Sequence, residues 1–429
     1  MPNNINENQT NPGSDTMHKA PFRHLLLAGS VLAAMSVPAF ALDGEDMLAK
    51  LNAASKAQGG VTFTYDDVEE GPDGGLTVSG VVYSADPERA QEFSEMEQVA
   101  PMTLNFEGVK EDGSGGYTID KVSAFDMAFA GDDFEIAIGS LIQGDIKVPA
   151  TPDLEAFAGW SYAGSTQASD ITFTSEGHQI VTIASATGNQ TFSADDSKAS
   201  FLANVSGIAI DLSGLDDMEE DARATLTALD LMTMNADVTI IGDWDTTSGD
   251  LDFSTYEIAV EDVGALNIRF AMTGLTLETI ETLQRLAAEA PADPQDMQAA
   301  EDGEAESPYQ QYLLELGQKI GVSELAISFV DDSITTRALQ YAAEKEDLTA
   351  EEMADKIEVD LGKSLAEMNV PDLADMVTTA VGAYFSDPQN FSVSIKPQMQ
   401  MPILAVVMAG AAAPQSIPKL LNLQVTANE

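Results

Sequence analysis

Apolar and polar residues alternate with a period of two through most of the chain. Val61, Phe63 and Tyr65 are separated by threonines, Leu76 and Val78 by Thr77, Leu104 and Phe106 by Asn105. The alternation returns at Phe134/Ile136/Ile138, Ile171/Phe173, Ile208/Ile210/Leu212, Val238/Ile240, Leu266/Ile268/Phe270/Met272, Leu325/Ile327/Phe329 and Phe391/Val393/Ile395. One apolar and one polar face marks half-buried antiparallel strands. Clusters such as EEGPDGG and EDGSGG between the runs are turn signals.

Helical spacing punctuates the strands. DGEDMLAKLNAASKA, DPERAQEFSEMEQ, DLEAFAGW and DDMEEDARATLTALDLM read as helices, and TLETIETLQRLAAEA sets Ile280, Leu283, Leu286 and Ala287 on one face. LTAEEMADKIEVDLGKSLAEM opens on a capping box, Thr349 with Glu352. Another helix is expected from Asp372 to Tyr384. The pattern predicts an α+β fold dominated by β structure. It is a long curled antiparallel meander with short covering helices and a more helical C-terminal third.

The N-terminal 41 residues are expected outside that fold. Lys19 and Arg23 precede an apolar run, Leu25 to Met35, and Ala39 and Ala41 supply the small residues of a signal-peptide cleavage site before Leu42. Met17 is the expected start, which makes residues 1–16 an extension. The predicted organisation is a signal peptide over 1–41, a β-meander domain over 42–288, a linker over 289–308 and an α+β part over 309–429 packed on the same sheet. The linker, EAPADPQDMQAAEDGEAESP, has no aromatic or β-branched residue with which to bury a face, so it is expected to be mobile.

Composition narrows the function. The chain carries 71 acidic and 19 basic residues, a net charge of -52. Such a field repels nucleic acid and anionic headgroups, and an acidic, salt-tolerant surface is the expected reading. There is no cysteine, which excludes disulfides, thiolate metal sites, cysteine nucleophiles and a lipidated N-terminal cysteine. An exported chain without cysteine suits a Gram-negative periplasm. Of three histidines, only His178 lies beyond residue 41, so no multi-histidine metal site forms within one chain. No cofactor motif, P-loop, G-x-G-x-x-G or G-x-S-x-G is present, and no cofactor is expected.

Four stretches remain as candidate chemistry. DWDTTSGDLD, Asp243 to Asp252, is rich in calcium-type ligands, but its sixth and twelfth positions, Ser248 and Ser254, fail the EF-hand pattern. It reads as a hairpin turn with Gly249 in a left-handed position and Trp244 as an anchor. In FVDDSITTRAL, Ser333 is expected to cap a helix and Arg337 to pair with Asp331 or Asp332. GWSYAG, from Gly159, offers two aromatics to a sugar. PILAVVMAGAAAP is apolar all round and too short to span a bilayer; a core helix is the ordinary reading. The sharper reading makes Ile403, Leu404, Val407 and Met408 ligand-binding residues.

LAISFVDDSITTRALQYAAEKEDLTAEEMADKI, with the upstream GDWDTTSGDLDFSTYEIAVEDVGALNIRFAMTGL, resembles exported alphaproteobacterial envelope proteins without an assigned function, which are loosely similar to the AsmA-like group. The resemblance implies a long curled β-meander and carries no catalytic motif. The leading expectation is a non-enzymatic periplasmic protein whose curled sheet holds a lipid-like molecule or another envelope protein, with no transmembrane span in the mature chain. The alternative is a carboxylate-dependent hydrolase acting on a glycan. An outer-membrane barrel fits poorly with the interposed helices and missing aromatic girdles.

Overall fold

A computed structural model describes residues 43–86, 96–153, 159–193, 195, 197–215, 218–289, 308–367 and 370–429. The expected signal peptide, most of the linker and most of the helices expected in DPERAQEFSEMEQ and DLEAFAGW lie outside these residues; the end of the first, Glu97–Gln98, is a strand and not helix.

Eighteen strands form one antiparallel sheet among the described residues. Helix α1 (Gly44–Gly59) leads to β1 (Val61–Thr64) and β2 (Asp67–Glu70), which lie end to end along β3 (Leu76–Ala85). The short β4 (Glu97–Gln98) and β6 (Lys110–Glu111) flank β5 (Met102–Glu107) on β7 (Tyr117–Ala130). A meander then runs through β8 (Phe134–Val148), β9 (Tyr162–Ser175), β10 (His178–Phe192) and β11 (Lys198–Asp211). After α2 (Glu220–Ala228) it continues through β12 (Thr233–Asp245), β13 (Asp250–Val260) and β14 (Gly264–Thr273). Helices α3 (Leu277–Glu289) and α4 (Pro308–Lys319) precede β15 (Gly321–Asp331), which pairs with β14, so the C-terminal part extends the same sheet. Helices α5 (Ile334–Lys345), α6 (Ala350–Glu367) and α7 (Pro371–Ser386) follow. Last come β16 (Asn390–Ile395), β17 (Met401–Pro402), α8 (Ile403–Ala412), α9 (Ile417–Leu420) and β18 (Gln424–Ala427). β18 pairs with β16, and no pairing joins it to β1 or β2, so the sheet is curled and not closed.

The curl has a local cause. In five consecutive strands the inward positions step by three rather than two: Ala124/Met127, Ile138/Leu141, Ala168/Ile171, Ile183/Ala186 and Val205/Ile208 all belong to one core. Two residues therefore intervene at each step, and they stack in register: Phe125, Ser140, Ser169, Ser185 and Ser206 face one another in turn. Beside them Asp126, Asp170 and Gly207 hold φ of 51°, 53° and 64°. Left-handed residues within strands bend the chain, and Asp and Gly adopt that region at least cost. Aligned across five strands, these irregularities crease the sheet.

The crease wraps strands β1–β11 around one core. Met47, Leu48 and Leu51 of α1 plug it, each no more than 1 % exposed. Side-chain amides fasten the plug. Asn52 Nδ2 donates to Phe63 O at 2.7 Å, and Phe63 N donates back to Asn52 Oδ1 at 2.7 Å. Gln58 makes the same two-way contact with the backbone of Ser161. Gln98 does so between Val81 O and Tyr83 N, so three amides stand in for missing strand neighbours. At the start of α1, the Tyr117 hydroxyl donates to Asp46, whose carboxyl is held low by Lys50 first and then by Tyr117.

Candidate functional site

The same inward face continues past the filled core. Val205 pairs with Val238, and the row runs on through Ile258, Leu266, Phe329 and Phe391. Val238 packs against the first core, which fixes the side to which this row points. The neighbouring row on that face is Ile240, Tyr256, Ile268, Ile327 and Val393. On the opposite face, one residue along, stand Asn204, Thr239, Glu257, Asn267, Ser328, Ser392 and Thr426. Alternation thus makes one face mostly apolar and the other mostly polar, with Leu202, Ile241 and Val330 as exposed apolar residues on the polar side.

What differs between the two halves is cover. Leu141 and Phe173 in the first half are 2 % and 1 % exposed, whereas Ile327 and Val393 in the second are 43 % and 36 % exposed. Two further apolar clusters occur among the described residues, one around Leu316 and Ile320 and one around Leu339, Ala343 and Met353. The first joins α4 and the residue after it to Met272 of β14, and the second lies among helices α5, α6 and α7. The inward face of β12–β16 is therefore an apolar trough whose two rows carry no charge and a single polar group, the Tyr256 hydroxyl. Its floor includes an aromatic ladder: Phe253 lies 5.0 Å from Phe201 and 4.4 Å from Phe270. Gly242 sits beneath it, where a Cβ would meet the Phe201 ring at 2.4 Å.

Helices close the two rims. At one rim, the Tyr384 ring of α7 lies tilted against Phe391 at 5.6 Å and its hydroxyl lies 2.7 Å from Thr335 Oγ1 of α5. Arg337 of α5 donates to Leu229 O and, at 2.6 Å, to Asp262 O, joining the α2 and β13–β14 turns. This corrects the expected ion pair with Asp331 or Asp332. Ser333 stands at the N-cap of α5 as expected, but its side chain makes no cap bond there. Its hydroxyl donates to Asp262 O at 2.6 Å, and it is Asp331 Oδ1 that accepts from the Thr335 N–H. The Arg337 guanidinium carries several donors, so two of its nitrogens tie the carbonyls of two separate turns together. The Thr349–Glu352 capping box of α6 is formed in both directions.

The other rim holds the stretch Asp243 to Asp252. It is a hairpin turn between β12 and β13, with Asp245 opposite Asp250. Asp245 Oδ1 accepts from Thr247 N and Ser248 N at 3.0 Å, and Gly249 takes φ of 75°. The Ser248 N–H first, and the Lys198 ammonium at 2.9 Å second, hold the Asp245 carboxyl down to about 2. Trp244 anchors the turn, donating from Nε1 to Leu275 O at 2.8 Å.

The four residues picked from the sequence lie on α8 beside this rim. Ile403 packs against Leu316 and Ile320, the cluster that Met272 and Leu275 also join, so it adjoins the end of the trough. Leu404 lies against Gly317, whose added Cβ would approach it at 3.3 Å. Val407 and Met408 do not join them: they are 61 % and 63 % exposed. No residue of α8 is buried, so the core-helix reading is overturned. The trough residues themselves were visible in the sequence only as strand alternation; nothing in the pattern separated them from the filled half.

The remaining candidates serve the fold. The Tyr162 ring of GWSYAG lies 4.0 Å from Phe192 and under the Lys147 ammonium. His178 begins β10 at an exposed turn. No metal-type cluster of three His, Cys, Asp or Glu occurs among the described residues, and no helix among them is long and apolar enough to cross a membrane. A family model described only as an uncharacterized protein matches residues 257–428, which hold most of the trough and the helices α3–α9. No curated protein matches the chain.

Proposed function

We propose that this chain is a non-enzymatic, exported binding protein that shelters an apolar, lipid-like molecule in the trough of β12–β16. One observation carries the reading: an uncharged apolar face, continuous with a fully buried core, is left with Ile327 and Val393 over a third exposed. Apolar surface of that kind is costly in water and marks binding sites. The acidic exterior suits a soluble carrier, since it keeps the apolar face from driving self-association. The hydrolase alternative has less behind it. Asp46, Asp195, Asp211, Asp245, Glu352 and Asp360 are all shifted downward, opposite to what a general acid needs.

Titration with a fluorescent fatty-acid analogue tests the proposal. Saturable binding is expected, and Ile327→Asp, which places a charge on the trough floor at an exposed position, abolishes it while the β-type circular dichroism persists. A wild-type protein that leaves the probe free in solution overturns the lipid reading. Co-purification of an apolar peptide segment instead transfers the trough to a protein partner.

A further inference from the structure

The three most exposed large hydrophobic side chains among the described residues are neighbours in sequence: Met399 at 78 %, Met408 at 63 % and Val407 at 61 %. Leu420 follows on α9, at 37 %. They lie within residues 388–428, which contain neither Asp nor Glu in a chain that carries 71 acids. Within that stretch Lys396 and Lys419 are the charged residues; Lys396 reaches Glu324, and Lys419 makes no ion pair among the described residues. Helix α8, ILAVVMAGAA, has no polar side chain at all.

We propose that α8 and its flanks at Met399 and Leu420 dock on the surface of a phospholipid bilayer. The charge pattern selects the partner. Elsewhere the exterior repels a headgroup layer; this stretch of chain carries no acid, and Lys419, which makes no ion pair among the described residues, is able to extend toward phosphates. Area argues against a stable protein interface. A ten-residue helix is ~15 Å long and ~10 Å wide, far short of the ~800 Å² per partner that such interfaces bury. A bilayer demands no matching shape or polar rim, and it accepts shallow insertion of methionine, valine and leucine. Through Ile403, the same helix adjoins the end of the trough, which brings the trough mouth to the membrane. The docking itself stands on exposure and charge, not on the trough being a lipid site.

Flotation with vesicles of phosphatidylcholine and phosphatidylethanolamine tests this. The full chain is expected to float with the vesicles, and the double variant V407D/M408D to lose roughly tenfold or more of the bound fraction. Both positions are exposed, so circular dichroism should be unchanged; Met399→Asp, in a loop, is an independent second variant. Ile327→Asp is expected to float like the wild type, so a trough that binds no fatty-acid probe leaves this result standing. Wild-type protein remaining below the vesicles, or V407D/M408D floating equally well, overturns the proposal. So does a concentration-dependent dimer that V407D/M408D abolishes without any flotation, which would make the patch a contact between two copies.

Discussion

Asp170 of β9 lies across from Gly139 of β8, so close that a Cβ on the glycine would come within 2.8 Å of the Asp170 Cβ. Asp170 holds φ of 53°, and the pair sits in the crease that turns the meander into a curled sheet. The missing side chain on one strand makes room for the bend on the next.

Substitutions in the crease should separate conformation from chemistry. Gly139→Ala is expected to cost about 1–3 kcal/mol, because the contact is with the Asp170 Cβ, which no rotamer change can move. Asp170→Gly should lie within about 1 kcal/mol of wild type, whereas Asp170→Val should lose about 2 kcal/mol, since a β-branched residue is strained in the left-handed region. Urea unfolding of the three variants measures this; equal losses for Gly and Val at position 170 would show that the carboxylate, not the backbone, matters.

The amide clamp of α1 makes a second prediction. Asn52→Asp keeps the acceptor but removes the donor that satisfies Phe63 O. A loss of about 2 kcal/mol is expected, the cost of an unpaired carbonyl facing a carboxylate. Hydrogen exchange should locate the effect in α1 and β1.

Filled and open halves of the sheet should respond differently to truncation. Leu141→Ala, at a site 2 % exposed, is expected to cost about 3 kcal/mol. Ile268→Ala, in the trough, should cost about 1 kcal/mol, because the removed atoms were only partly withdrawn from water. Comparable losses would mean that the trough is as well filled as the core.

Acid should weaken the β12–β13 turn in a defined window. Asp245 sits at about 2 in the folded chain against an ordinary 3.8. The folded value is the lower one, so its contribution is complete above the ordinary value and is lost as pH falls toward 2. In Asp245→Asn this part of the pH dependence should vanish, seen as a flatter melting temperature between pH 4 and 2. A variant profile parallel to wild type would show that the turn does not depend on that carboxylate.

Much of the architecture was legible in the sequence, and for a physical reason. Side chains alternate across a strand by covalent geometry, so Leu266/Ile268/Phe270 and Leu325/Ile327/Phe329 declare an apolar face wherever the strand is placed. Asp245 and Gly249 announce a turn because few other residues take those conformations, and Thr349 with Glu352 marks a helix start through bonds spanning three residues. These are local interactions, and the sequence states them directly. The crease was half legible: pairs such as Gly139-Ser140, Ser169-Asp170 and Ser206-Gly207 interrupt apolar runs, but their alignment across strands depends on register. Arg337 found carbonyls in two turns 75 and 108 positions away along the chain instead of its neighbouring aspartates. Which apolar face is covered was decided by tertiary structure alone. Leu141 and Ile327 follow the same alternation, yet α1 and the creased strands close over the first, and the second keeps 43 % of its surface exposed.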